Sequence, residues 1–369
     1  MSGDPDRPLA GLLVLEWGPL LPVPSAGAAL ARLGAEVTRL EPPTGDPART
    51  LYGGWLHELY GVGKDATVLD LASEAGRQRR DALLDEADVV IAGHRPSSAQ
   101  RAGLDAATVR RDRPGVVHCS IVGYPTDGPD ADRPGHDLSF LARSGALAVP
   151  ATPSAVGASP RRPAIPIADL AAGAVAVQAI LAALIGRDRG HGGRALEVSI
   201  DEVVRGWMAP RLGPAVAPTF PAALDPANDL YQGADGRWLV VAAIEPRFWA
   251  ALAEALGRRI ALPDGAEAWG SAERIAAGDA LAVPIRTAFA RESVATWVSE
   301  LEAAGVPVDE LLDADDVVAR HGTDVATWRD AATPLRYAET ERSSPGPGEQ
   351  AASRSATRGP ANAPNEGDR

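Results

Sequence analysis

Short apolar runs alternate with amphipathic stretches along the first half of the chain. Residues 12–16 form an apolar run that predicts a strand. A Pro-rich loop follows, then residues 25–33, rich in Ala and Leu, predict a helix with Ser25 as N-cap and Gly34 as its stop. Residues 35–41 predict the next strand, which completes a βαβ unit of the parallel, doubly wound kind. Residues 67–71, 87–92, 116–121 and 195–200 predict further strands, and 74–86 an amphipathic helix. Residues 168–185 are nearly uncharged and apolar all round, which predicts a buried helix. The pattern gives a doubly wound, mainly parallel-sheet α/β domain over residues 1–210. Ligands sit at the carboxyl ends of such strands, so the loop from Gly18 to Ser25 is the first candidate ligand loop. It lacks G-x-G-x-x-G and does not read as a dinucleotide site.

Near Pro210 the texture changes. Residues 211–230 are Pro- and Ala-rich and read as a linker. Asp235-Gly236 marks a hairpin turn beside the run 238–243. Helical stretches at 245–257, 294–304 and 311–320 complete a smaller α+β domain over 231–315. Residues 316–340 are expected to return to the large domain. Residues 341–369 carry few large apolar side chains and are expected to be disordered.

The formal charge of −13 argues against nonspecific binding to nucleic acid or anionic membrane. Cys119 is the only cysteine, so neither an internal disulfide nor a zinc cluster is available, and no metal is expected. The first thirty residues do not read as a signal peptide. No apolar run reaches the roughly 20 residues that span a bilayer. A cytoplasmic protein without membrane or nucleic-acid partners is expected.

The candidate chemistry lies between Arg133 and Gly173. His136-Asp137 opens this stretch, and Asp169 stands alone among small apolar residues near its end. A carboxylate in apolar surroundings has a raised pKa, which suits proton transfer or nucleophilic attack. Asp169 is equally placed to cap the helix that follows. A histidine is more often structural than catalytic, and Glu245 also fits the first turn of a helix. Arg39, Arg95 and Arg101 lie at or just after strand ends, as phosphate contacts or as solvated surface residues.

Several motifs together resemble family III CoA-transferases, the group that includes formyl-CoA transferase, carnitine CoA-transferase and α-methylacyl-CoA racemase. They are Pro8-Leu9-Ala10-Gly11, Leu33-Gly34-Ala35-Glu36-Val37, Val68-Leu69-Asp70-Leu71, Ala87-Asp88-Val89-Val90, Gly135-His136-Asp137 and Ile167-Ala168-Asp169. The likeness covers about residues 8–340. It implies that Asp169 is either the nucleophile of a transferase or one base of a racemase. Position 136 is commonly Tyr in the transferases and His in the racemases, and Ala243-Ile244-Glu245-Pro246 resembles the racemase segment whose Glu pairs with that His. The racemase branch is therefore favoured, with His136 and Asp169 as two bases on opposite faces of the α-carbon. The N-terminus of the helix at Asp169 would help to stabilise enolate charge. A transferase, or a fold repurposed for a non-CoA substrate, is the alternative.

The resemblance further implies an interlocked homodimer, with Glu245 pairing with His136 either within one chain or from the partner subunit. It implies no tightly bound cofactor, with CoA as part of the substrate. Contacts to CoA would come from Arg39, Lys64, Leu71, Gly93, His94, Arg95 and Arg101. The CoA loops depart from the family pattern. Pro42 stands where relatives often carry Arg, Gly61-Val62-Gly63-Lys64 keeps only the Lys of its loop, and Gly18 to Pro24 lacks the usual polar residues.

Overall fold

The computed structural model describes residues 7–147, 162–212, 225–325 and 328. Most of the expected linker, the end of the expected return segment (329–340) and the tail expected to be disordered (341–369) lie outside the described residues. Six strands form one sheet: β1 (Leu13–Trp17), β2 (Glu36–Glu41), β3 (Lys64–Val68), β4 (Val89–Ala92), β5 (Val117–Val122) and β6 (Ala195–Ser199). Their order is β3-β2-β1-β4-β5-β6, and every neighbouring pair is parallel. Parallel strands need crossovers, and the helices supply them: α1 (Pro22–Arg32), α2 (Trp55–Gly61), α3 (Glu74–Glu86), α4 (Pro96–Ala102), α5 (Ala106–Asp112), α6 (Asp137–Arg143) and α7 (Ile167–Gly186), with α8 (Ile200–Leu212) following the last strand.

Both faces of the sheet are covered. Val14, Val37, Val89 and Ile91 pack with Leu30 of α1 and Ala172, Ala176 and Ile180 of α7. The alternate residues Leu15, Leu40 and Val90 pack on the other face with Leu84, Leu104 and Val109. The period-2 alternation of β1, β2 and β4 thus feeds two cores, which is why β1 and β4 read as largely apolar runs.

The second sheet is antiparallel, with β7 (Asn228–Gln232), β8 (Trp238–Ala242) and β9 (Val308–Glu310) in that order. The hairpin at Asp235-Gly236 forms as its turn residues dictate, with Gly236 at φ +78°. Helices α9 (Pro246–Gly257), α10 (Ser271–Ala277), α11 (Asp279–Phe289), α12 (Val294–Ala303) and α13 (Ala314–His321) accompany this sheet. Trp249, Phe289 and Trp297 are fully buried in a core of their own.

Three expectations need correction. The third strand runs 64–68, not 67–71. It is an edge strand with one neighbour, and its polar Lys64 and Asp65 pair with Val37 and Thr38 of β2. Ser25 is not the cap of α1, which begins at Pro22; its hydroxyl donates back to the Pro22 carbonyl at 2.9 Å. Helix α7 is not buried all round. Ala174, Gln178, Ala182 and Ile185 form an exposed stripe at helical spacing. By length and composition this helix is apolar enough to cross a membrane, contrary to the reading of the apolar runs. Its other face is packed into the core on α1 and β5.

Candidate active site

The strand order reverses direction between β1 and β4, and the loops that follow these two strands part to leave a crevice at their carboxyl ends. Gly18 and Gly93 cross here beneath Val23. A Cβ on Gly18 would stand 2.7 Å from Val23 Cγ2, and one on Gly93 would stand 2.3 Å from the same atom. Leu20, in the same loop, holds φ +67°, the one positive φ outside glycine among the described residues. Such backbone strain costs on the order of 1 kcal/mol and persists where surrounding packing fixes it. The Trp17 and His94 rings close the floor, with centroids 3.9 Å apart.

Two cavities meet at this point and share Pro19 and His94 in their walls. The first, about 310 Å³, is lined by Gly93, Arg95, Arg133, His136 and Asp169 among others. The crevice therefore brings together His136 and Asp169, which lie 33 residues apart in sequence. His136 is the N-cap residue of α6, and its backbone N–H donates to Ser139 Oγ at 3.4 Å. Asp169 sits in the first turn of α7, two residues inside the helix, and does not cap it.

The cap comes from Asp137. Its Oδ1 accepts from the backbone N–H of Ala168 at 2.7 Å and of Asp169 at 3.2 Å. One residue thereby ties the helix that starts after His136 to the helix that carries Asp169. Burial, and then the neighbouring Asp137 charge, push the Asp169 carboxyl up to about 7. The amides of Ile167 and Leu170 are also engaged, by the carbonyls of Ile165 and Pro166. The first turn of α7 thus donates its N–H groups within the protein, and its expected help to an enolate is limited to the helix dipole.

The residues expected to contact CoA divide into two groups. Leu71 and His94 line the second cavity, of about 380 Å³; Gly93, His94 and Arg95 line the first. Burial, reinforced by the Arg95 charge, lowers the His94 pKa to about 4, so the ring is neutral near pH 7. Arg39 and Lys64 line neither cavity. Arg39 Nε donates to Glu16 Oε1 at 3.0 Å and its NH2 to the Tyr60 carbonyl at 3.2 Å. Lys64 Nζ donates to Glu16 Oε2 at 2.5 Å and to the Pro24 carbonyl at 2.8 Å. Burial pulls the Lys64 ammonium down to about 8 against the opposing pull of Glu16. Both cations neutralise a fully buried carboxylate beneath α1, so neither is free for a phosphate. Arg101 is exposed on α4 and donates to Ser98 Oγ at 3.0 Å, away from both cavities. Glu245 is the exposed N-cap residue of α9. Among the described residues no hydrogen bond or ion pair joins it to His136 or Asp169. Cys119 is buried in β5 with its thiol pushed up to about 12 by burial, which leaves it inert as a nucleophile.

The residues that sequence reasoning missed are Glu16 and Asp137. Asp137 was visible as half of the His-Asp pair, but its target lies 31 residues on. Glu16 ends an apolar run, and nothing in the spacing marks it as the partner of Arg39 and Lys64.

With this geometry in view, comparison with known proteins decides the family. The chain matches the sequence profile described as CoA-transferase family III over residues 9–361. It belongs to that family. A probable fatty acyl-CoA transferase of Mycobacterium tuberculosis is 29% identical over 374 residues, covering 91% of this chain and 93% of the relative. A crystal structure of that mycobacterial protein superposes with a TM-score of 0.77 at 28% identity, over 91% of this chain and 95% of the other. Human α-methylacyl-CoA racemase is 29% identical, over 68% of this chain and 65% of the racemase. Family III membership accounts for the parallel six-stranded sheet and makes an acyl-CoA thioester the substrate class typical of the fold. The relatives named include both transferases and racemases.

Proposed function

We propose that this family III protein is an acyl-thioester racemase or epimerase working by two-base proton transfer. The observation that carries the reading is the shared cavity of His136 and Asp169, with the Asp169 carboxyl raised to about 7. Proton transfer is most efficient when the catalytic group titrates near the working pH. One base removes the proton α to the thioester carbonyl, and the C–H electron pair passes into the enolate. The other base then returns a proton to the opposite face of the same carbon. Arg95 and Arg133 at the cavity wall supply positive charge near the enolate.

In this reading the enzyme is a homodimer. Glu245 is exposed in one chain, and it would orient the His136 ring from a second copy. The exposed stripe of α7 supports a self-associating surface. The transferase alternative uses Asp169 as nucleophile, and the transferase names among the relatives favour it. An anhydride route requires the ionised carboxylate, of which a group titrating near 7 supplies about half at neutral pH.

Exchange of the α-hydrogen for deuterium in heavy water tests the proposal. The expected result is exchange in the native protein and none in a His136→Ala, Asp169→Ala double variant. Exchange that survives in the double variant, or hydroxylamine capture of an Asp169 acyl group during turnover, removes the two-base reading.

A further inference from the structure

Arg274 of α10 is a charged side chain with no exposed surface, and so is its partner Asp225, just before β7. Arg274 Nε and Nη2 grip the two oxygens of Asp225, at 2.9 and 2.6 Å. Ser271 Oγ donates to the same carboxylate at 2.7 Å. The guanidinium also holds backbone. Its Nη1 donates to the Trp269 carbonyl at 2.8 Å, and Nη2 donates to the Ile244 carbonyl at 2.9 Å. The ring of Trp249 on α9 lies 5.0 Å from Cζ.

Ile244 immediately precedes Glu245. On the other side, the Glu245 carbonyl accepts from the amides of Phe248 and Trp249, at 3.0 and 2.9 Å. The corner between β8 and α9 is thus fixed from both sides. The Glu245 side chain stands exposed on that corner and does not cap its own helix. A buried ion pair is a weak source of stability, because desolvation of both ions offsets most of their attraction; its best-attested use is to select one geometry. A planar fork bonded to three separate stretches of chain does this better than a point charge.

We propose that Arg274 and Asp225 are positioning residues for Glu245. They fix the β8–α9 corner so that the Glu245 carboxylate is presented in one direction, and neither touches the substrate. The proposal rests on the pairing of Glu245 with His136 in the two-base reading, and adds to it the residues that set its geometry.

Exchange of the α-hydrogen of a 2-methylacyl thioester tests this in four full-length proteins: native, Arg274→Lys, Glu245→Gln and the double variant. Each is assayed well below its own unfolding midpoint. Lysine keeps the charge and loses the fork. Arg274→Lys is expected to lower kcat about tenfold, with KM within about twofold of native, because it displaces the group that orients a base. In the Glu245→Gln background the same substitution is expected to cost less than about twofold, since no carboxylate is left to orient. Loss by the same factor in both backgrounds overturns the proposal, because a purely structural clamp acts whatever residue 245 is. Ser271→Ala runs the same cycle more gently. It removes one donor from Asp225 and leaves Arg274 in place, with a loss of about threefold expected in the native background and none in Glu245→Gln. Native rates in both Arg274→Lys and Ser271→Ala also overturn the proposal. Failure of the underlying reading shows differently. A native rate in Glu245→Gln alone removes Glu245 from the reaction, and the positioning role with it. Exchange that survives loss of His136 and Asp169 removes the two-base site itself.

Discussion

One oxygen of Asp137 accepts from the amides of Ala168 and Asp169, so the carboxylate that caps α7 also places a negative charge beside the Asp169 side chain. Burial is the larger cause of the raised Asp169 pKa and Asp137 the second. A neighbouring negative charge disfavours the ionised form, so removing it must lower the pKa. Asp137→Asn keeps an oxygen acceptor for the α7 amides and removes the charge. In the proposed two-base mechanism, the step in which Asp169 acts as base follows its ionised fraction, which rises with pH through about 7 in the native protein. In Asp137→Asn this midpoint is expected to move to lower pH, with the rate at pH 6 gaining relative to pH 8. A pH profile of α-hydrogen exchange measures it, and an unmoved midpoint would mean that Asp137 is a cap only.

At the scale of elements, the crevice depends on two loops packed against the start of α1. Gly93 leaves no room for a methyl beside Val23 Cγ2. Gly93→Ala is expected to destabilise the fold by about 1–3 kcal/mol through overpacking, with Val23→Ala in the same chain restoring part of the loss. Thermal unfolding of the two single variants and the double variant checks this; simple additivity would show that the two sites are not in contact. Much of this architecture is legible in the apolar pattern. Strands buried on both faces announce themselves as unbroken apolar runs, as 12–15 and 89–92 do. The edge strand β3 escapes, because half of it is polar and its register is set by pairing with β2. Asp169 stands out because a lone carboxylate lies among small, apolar residues, and the fold adds that it shares a cavity with His136. The fates of Arg39 and Lys64 were not legible, because Glu16 claims them across 23 and 48 residues, a distance at which spacing carries no signal.

At the scale of the molecule, the proposed pairing of Glu245 with His136 is open to a direct test. A single chain presents it exposed, with no bond to His136 among the described residues. If a second copy supplies it, inactive His136→Ala and Glu245→Gln chains are expected to recover activity when co-folded. Each mixed dimer would then hold one site with both residues intact, and about a quarter of native activity is expected from random assortment of copies. Lack of recovery would place Glu245 in the same chain's site or outside the chemistry. The central claim is that His136 and Asp169 serve opposite faces of one α-carbon. Deuterium wash-in from heavy water, followed separately on each enantiomer of a 2-methylacyl thioester in the His136→Ala and Asp169→Ala single variants, tests it most directly. Each single variant should exchange the α-hydrogen of one enantiomer only, the two should choose opposite enantiomers, and neither should racemise. Exchange of both enantiomers by either variant would contradict the two-base site.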